Sequence, residues 1–261
     1  MIITKAPFRM SFFGGGTDME SFFKENGGAV LSTTFDKYCY VNVRHLPRFF
    51  DYSTELSYSK TERVTNIDDI QHPAIRNAMK MLDMHEIRLT YEADLPALSG
   101  LGTSSSFAVG MLNAFYALKG KYADKKKLAD EAIYLERNLC QEAAGKQDKT
   151  AKMKEMLALV DDAERVLTDK NADLDDFGRM LDHTWKLKRQ TGAAVSTNSI
   201  DELYDRGIAA GALGGKLLGA GGGFLVFYVQ PDRQDPVRSA MRDLMHIPFE
   251  FEDGGTRVIH Y

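Results

Sequence analysis

The chain has 261 residues, 44% of them hydrophobic and 27% charged, with a formal net charge of −4. That length supports one large or two ordinary globular domains. Lys and Arg are spread along the chain instead of clustered, which argues against nucleic-acid binding and against a polybasic membrane surface. Cys39 and Cys140 sit inside a strand-like and a helix-like run and are expected as buried free thiols. The histidines at 45, 72, 85, 183, 246 and 260 show no ligand spacing with one another or with cysteine, so no zinc site is expected. The opening MIITKAPFRM lacks the apolar core of a signal peptide, and no stretch approaches membrane-spanning length. A soluble cytoplasmic protein is the expectation.

Residues 2–13 read as one or two strands broken at Pro7, with Arg9 and Ser11 on one face and Met10 and Phe12 on the other. FFGGGTDMESFFKENGG then predicts a close-approach turn and a short helix, capped by Thr17 or Asp18 and stopped by Gly27-Gly28. Residues 29–35 and 37–45 alternate β-branched and aromatic residues and predict two successive strands. Residues 46–71 are polar and read as irregular, and AIRNAMKML after His72-Pro73 is helical. Ile87–Tyr91 is a strand ending before Pro96.

Next comes PALSGLGTSSS, residues 96–106, feeding an apolar helix. Gly100 and Gly102 permit backbone angles that a β-carbon forbids, and Thr103, Ser104 and Ser105 offer N-cap hydroxyls. Backbone N–H groups converging at a helix N-terminus make an anion cradle, and phosphate is its usual guest. A plain strand–turn–helix connection would need the same glycines and cap.

Residues 125–143 predict a helix with Ala129, Ile133, Glu136, Cys140 and Ala143 on one stripe. Glu136 is the odd member, a carboxylate that must either reach solvent or find a cation or metal. Gly145 ends this helix. Helices over 150–168, 173–189 and 199–211 follow, the last with Ser199 as a candidate cap. Gly219, Gly221, Gly222 and Gly223 form a second glycine-rich loop, which precedes the buried strand Phe224–Val229 and so is no dinucleotide fingerprint. A helix at 235–245 and strands at 249–251 and 257–259 complete the chain.

APFRMSFFGGGTD at 6–18, PALSGLGTSSS at 96–106 and KLLGAGGGF at 216–224 resemble, in that order, the three motifs of the GHMP kinase superfamily. GGGTD in the first motif is similar to the branch holding D-glycero-D-manno-heptose 7-phosphate kinases and fucokinases. So are GGAVLSTTFDKYCYV, LERNLCQEAAGKQD and HIPFEFEDGGTRVIHY, so the resemblance covers nearly the whole chain. It implies a two-domain α/β (α+β) kinase. Residues 1–148 would be a sheet-plus-helix ATP-binding domain, residues 149–261 a C-terminal ferredoxin-like α/β plait, with the active site in the cleft between them.

The resemblance also implies roles. Gly100, Leu101, Gly102, Thr103, Ser104 and Ser105 would wrap the ATP phosphates, and Ser104 (or Thr103) with Glu136 would bind Mg²⁺. Asp148, at the end of GKQD, would face the acceptor hydroxyl, with Arg9 beside it. Gly15, Gly16, Thr17 and Asp18, within the 14–18 loop, would hold the sugar, while Gly219, Gly221, Gly222 and Gly223 would support the phosphate site. The implied reaction is ATP-dependent phosphorylation of a sugar's anomeric hydroxyl, with a heptose 7-phosphate as the leading substrate. A kinase of galactose or fucose, or a catalytically silent binding protein, are the alternatives. Lys5, Arg44 and Lys188 are candidate cations for a substrate phosphate. Oligomeric state is not legible.

One departure stands out. Relatives continue after GKQD with aromatic residues and a GGFN-like strand, whereas here Lys149-Thr150 enters a long helix directly. A segment omitted near 148–149 is expected in preference to a true deletion, which would expose the core of both domains.

Overall fold

The structure is a computed structural model that describes residues 1–96, 100–140, 150–191, 195–219 and 223–261. Among the described residues the larger sheet has seven strands. Six run in the order β4-β3-β5-β2-β1-β9, and β8 pairs with β2 at one side. Strand β1 (Ile2–Phe13) is a single strand, and it continues past Pro7 because its pairing with β2 shifts register at Pro7/Phe8. Strand β2 (Leu31–His45) is likewise one strand where two were predicted. The shift that accommodates Pro7 falls at Asp36-Lys37 on β2, so the break in pattern there is a bulge and not an end.

Residues 46–71 are more ordered than their polarity suggested. They contain the hairpin β3 (Thr54–Ser57) and β4 (Thr61–Val64), and β3 pairs in parallel with β5 (Ile87–Ala93). Two carboxylates in this hairpin, Glu55 and Glu62, are each only 6% exposed. Glu55 is held by Arg63 at 3.1 Å and by Arg88, and Glu62 accepts from the Gln71 N–H at 2.7 Å and from Tyr58. Burial with partners is what lets an acidic sequence act as sheet.

Helix α1 (Glu20–Asn26) follows the first glycine turn, with Met19 at its N-cap and no side-chain cap, so neither Thr17 nor Asp18 plays that part. Gly27, at φ +72°, ends it as expected. Helix α2 (Pro73–Met81) begins with proline in its first turn, and α3 (Thr103–Leu118) crosses the sheet. Ile75, Met79, Met111, Leu112 and Phe115 from these helices pack onto Val41, Val43, Leu56 and Leu89 as the main core.

Helix α4 (Lys125–Tyr134), capped by Asp124, runs into a π-helical turn over Leu135–Leu139. Its buried stripe is Leu128, Ala132 and Leu135, whereas Ala129 and Ile133 are exposed. The predicted stripe was one residue out of phase because Leu128, not Ala129, begins the apolar face. Ala143 and Gly145 lie outside the described residues. Cys39 is a buried free thiol whose pKa burial pushes up to about 12, and Cys140 is half-buried beside Asn77.

The C-terminal half carries α5 (Thr150–Thr168), α6 (Leu174–Arg189), α7 (Asn198–Ala209) and α8 (Gln234–Ala240). The α7 cap is Thr197, with Ser199 hydrogen-bonded to it, and α8 stops five residues short of the predicted end. Of the plait, the described residues contain the antiparallel pair β6 (Gly214–Leu218) and β7 (Phe224–Tyr228) with helices on it. The β7 residues are half-buried, less enclosed than the sequence implied. Trp185, Tyr204 and Leu217 form one small core with Leu225 and Phe227. Helix α5 buries Val160 and Ala163 against Phe13, Phe177 and Leu181, so it joins the two halves. Strands β8 (Phe251–Glu252) and β9 (Arg257–His260) return to pair with β2 and β1.

Candidate active site

Two glycine loops meet backbone to backbone. A β-carbon on Gly100 would lie 2.3 Å from the Gly219 Cα and 2.3 Å from the Leu218 carbonyl oxygen. Both glycines have left-handed backbones, at φ +73° and +84°. No residue with a side chain fits either position without displacing main chain. The sequence singled out both loops, and the fold brings them together.

Beyond this contact, α3 starts at Thr103 with Gly102 as its N-cap, at φ +69° and with no side-chain hydrogen bond. The hydroxyls of Thr103, Ser104 and Ser105 therefore do not cap it. The first backbone bond back into the helix is from Ser106 N–H to Gly102 O at 2.9 Å, and the N–H groups before it face outward at the positive end of a 16-residue helix dipole. The Leu101 carbonyl accepts from the Arg9 N–H at 3.1 Å, fastening this turn to β1. A β-carbon on Gly102 would lie 2.9 Å from the Arg9 Cγ, so the Arg9 side chain lies across the cradle, and its Nη1 donates to Ser11 Oγ at 2.8 Å.

Glu136 sits in the π-helical turn, the kind of local distortion that often marks a functional position. Its Oε2 accepts from the Ser105 hydroxyl at 3.0 Å. A carboxylate and hydroxyls beside uncapped helix N–H groups are hard oxygen donors next to an anion site, which suits Mg²⁺ bound jointly with phosphates. Among the described residues no group of three or more His, Cys, Asp or Glu side chains could hold a metal ion.

The Gly14–Asp18 loop is held from inside. The buried Thr17 hydroxyl lies 2.8 Å from the carbonyl oxygens of both Gly14 and Ala29 and accepts from the Ala29 N–H at 3.2 Å. Asp18 accepts from the Gly16 N–H at 3.0 Å and is exposed, while Arg137, next to Glu136, donates to the Asp18 carbonyl at 3.3 Å. Thr17 is thus a scaffold residue, whereas Asp18 is open to a ligand. Gly15 has open space around it. Asp148, Gly221 and Gly222 lie outside the described residues, and Gly223, at φ +153°, begins the turn into β7.

Sequence reasoning missed Lys216. It is 3% exposed, and its Nζ donates to the carbonyls of Ser11 at 2.7 Å and Phe12 at 3.0 Å, tying β6 to the end of β1. A lysine inside an otherwise apolar strand was the available signal. Desolvation, with Lys188 and Arg9 adding like charge, lowers its pKa to about 7. The unfolded chain therefore binds more protons than the fold between about pH 7 and 10, and stability rises with pH across that window. Urea unfolding at pH 7 and 9.5 should show wild type gaining on Lys216→Met. A difference constant with pH would contradict this.

Comparison with known proteins fits the geometry. The profile for the GHMP kinases N terminal domain matches residues 70–155, and that for the GHMP kinases C terminal domain matches 161–247. A D-glycero-alpha-D-manno-heptose 7-phosphate kinase from Campylobacter jejuni is 24% identical, over 92% of this chain and 93% of its own. A crystal structure of a D-glycero-D-manno-heptose 1-phosphate kinase from Bacteriodes thetaiotaomicron superposes with TM-score 0.80 at 21% identity, covering 100% of this chain and 99% of that one. The mevalonate kinase of Methanococcus jannaschii gives 0.69 at 17% identity, covering 99% and 98%. The Campylobacter match runs over 317 residues, 56 more than this chain's 261, so the relative holds at least that many residues without a counterpart here. The stretch 141–149, where the departure from relatives falls in the sequence, lies outside the described residues.

Proposed function

The chain belongs to the GHMP kinase family, phosphotransferases with a hydroxyl acceptor, and from that premise we propose that it is an ATP- and Mg²⁺-dependent sugar kinase. Its proposed acceptor is the anomeric hydroxyl of D-glycero-D-manno-heptose 7-phosphate. The observation that carries the kinase reading is the closed cradle: Gly100 against Gly219, Arg9 across Gly102, and Glu136 on Ser105. The heptose reading rests on the name of the Campylobacter relative.

In this reading the N–H groups at the start of α3 receive the phosphates of ATP, and Ser104 and Glu136 hold Mg²⁺, which when bound neutralises phosphate charge. Asp18 accepts from sugar hydroxyls. Asp148 takes the proton of the acceptor hydroxyl as its oxygen bonds to the γ-phosphorus, and the bond from that phosphorus to the β–γ bridging oxygen breaks to release ADP. Arg9 stabilises the transferring group. Positioning and charge neutralisation supply most of the catalysis.

A coupled ADP-release assay with heptose 7-phosphate, galactose, fucose and mevalonate tests the reading. Turnover with heptose 7-phosphate alone is expected, and turnover with another sugar instead would keep the kinase and discard the substrate. A silent nucleotide- or sugar-binding protein is the second reading. It is favoured by the residues of the Campylobacter relative, at least 56 of them, that have no counterpart here, and no turnover with any acceptor would support it.

A further inference from the structure

Three cations gather behind the sugar loop. Arg9 lies over Gly102 and bonds Ser11, Lys216 bonds the Ser11 and Phe12 carbonyls, and Lys188, in the last turn of α6, donates to the Gly219 carbonyl at 3.3 Å. Among the described residues no carboxylate lies within ion-pair distance of any of them. The acidic group whose charge acts on Lys188 is Asp18 of the sugar loop. Basic groups crowded on one another, with Asp18 as the described acidic group acting on Lys188, make a region that an anion would relieve.

The three have different work. Arg9 belongs to the phosphate cradle, and Lys216 is nearly fully enclosed and spends its protons on main chain. Lys188 is half-buried and holds one long bond, to the Gly219 carbonyl beside the Gly100 contact, with the charge of Asp18 acting on it. The other cations that the sequence offered are elsewhere. The Lys5 ammonium sits 3.9 Å from the centroid of the Tyr38 ring, and Arg44 lies across from Arg88 in the β2–β5 ladder.

We propose that Lys188 is the specificity-determining residue that binds the phosphate ester carried by the sugar, as a half-buried ammonium pairing with a phosphomonoester dianion. This rests on the sugar-phosphate kinase reading above. The selection against unphosphorylated sugars follows from desolvation, since a sugar without phosphate would leave that ammonium enclosed and uncompensated.

Calorimetric titration of wild type, Lys188→Met and Lys188→Arg with heptose 7-phosphate, the same heptose without phosphate, and Mg-ATP tests it. Lys188→Met is expected to weaken heptose 7-phosphate binding by about 10- to 100-fold, as loss of a charge-assisted bond would. Affinity for Mg-ATP should stay within about threefold in that variant, which also reports that it is folded, and affinity for the unphosphorylated heptose should hold or rise, because no enclosed ammonium is left uncompensated. Lys188→Arg keeps the charge and should keep most of the preference. Equal weakening of both sugars, or loss of Mg-ATP affinity, would assign Lys188 to the scaffold or the nucleotide and overturn the proposal. A wild-type preference that survives in Lys188→Met overturns it alone. A wild type with no preference for the phosphorylated sugar contradicts the substrate reading and takes this inference with it.

Discussion

Asp148→Asn is expected to lower kcat by about 10³-fold while leaving ATP affinity unchanged, since a positioned general base contributes 10²- to 10⁴-fold. The amide keeps the size of the side chain and removes its basicity, so the acceptor hydroxyl stays in place with nothing to take its proton. Asp148 closes the GKQD stretch, after the turn that carries Glu136. Stopped-flow measurement of turnover with parallel ATP titration separates the two effects. A variant that turns over normally would remove Asp148 from the mechanism.

Gly100→Ala should be the most damaging small substitution in the cradle. Its methyl group would stand 2.3 Å from the Gly219 Cα and the Leu218 carbonyl oxygen, so main chain must move apart. The residue must also hold φ +73°, costing about 1–2 kcal/mol for a side chain that resists it. With the overpacking cost added, a loss of about 2–4 kcal/mol is expected in urea unfolding, together with at least a tenfold weaker ATP affinity as the loops separate. Gly15→Ala is the control, because nothing lies within 4 Å of a β-carbon there. Its stability should stay within about 0.5 kcal/mol of wild type. Equal stability of the two variants would mean that the contact between the loops is not maintained in solution.

Local chemistry made much of this site legible. Glycines that must approach main chain, a helix opening onto them, and a carboxylate on a helix that is otherwise half apolar were each readable from neighbours in sequence. Arg9 and Ser11 did fall on one face of β1, as alternation required. What escaped depends on partners far away in sequence. Glu55 and Glu62 belong to a sheet because Arg63, Arg88 and Gln71 meet them, and no local pattern announces those contacts. Lys216 reads as a stray charge until β6 is placed against the Ser11 and Phe12 carbonyls. The phase of α4 failed because two apolar stripes, one starting at Leu128 and one at Ala129, compete in the same ten residues, and only packing decides between them. The caps failed for a related reason: at α3 Gly102 takes the N-cap position, and Ser105, one of the hydroxyls that could have capped the helix, donates to Glu136.

Phosphorus NMR of the reaction mixture with heptose 7-phosphate tests phosphoryl transfer from ATP to an anomeric oxygen without a coupling enzyme. The account predicts that a second phosphomonoester signal grows as ATP is consumed, split by coupling to the sugar's anomeric proton, with ADP formed in equal amount. ATP consumed without that signal, or a new ester coupled to any other carbon's proton, would contradict it.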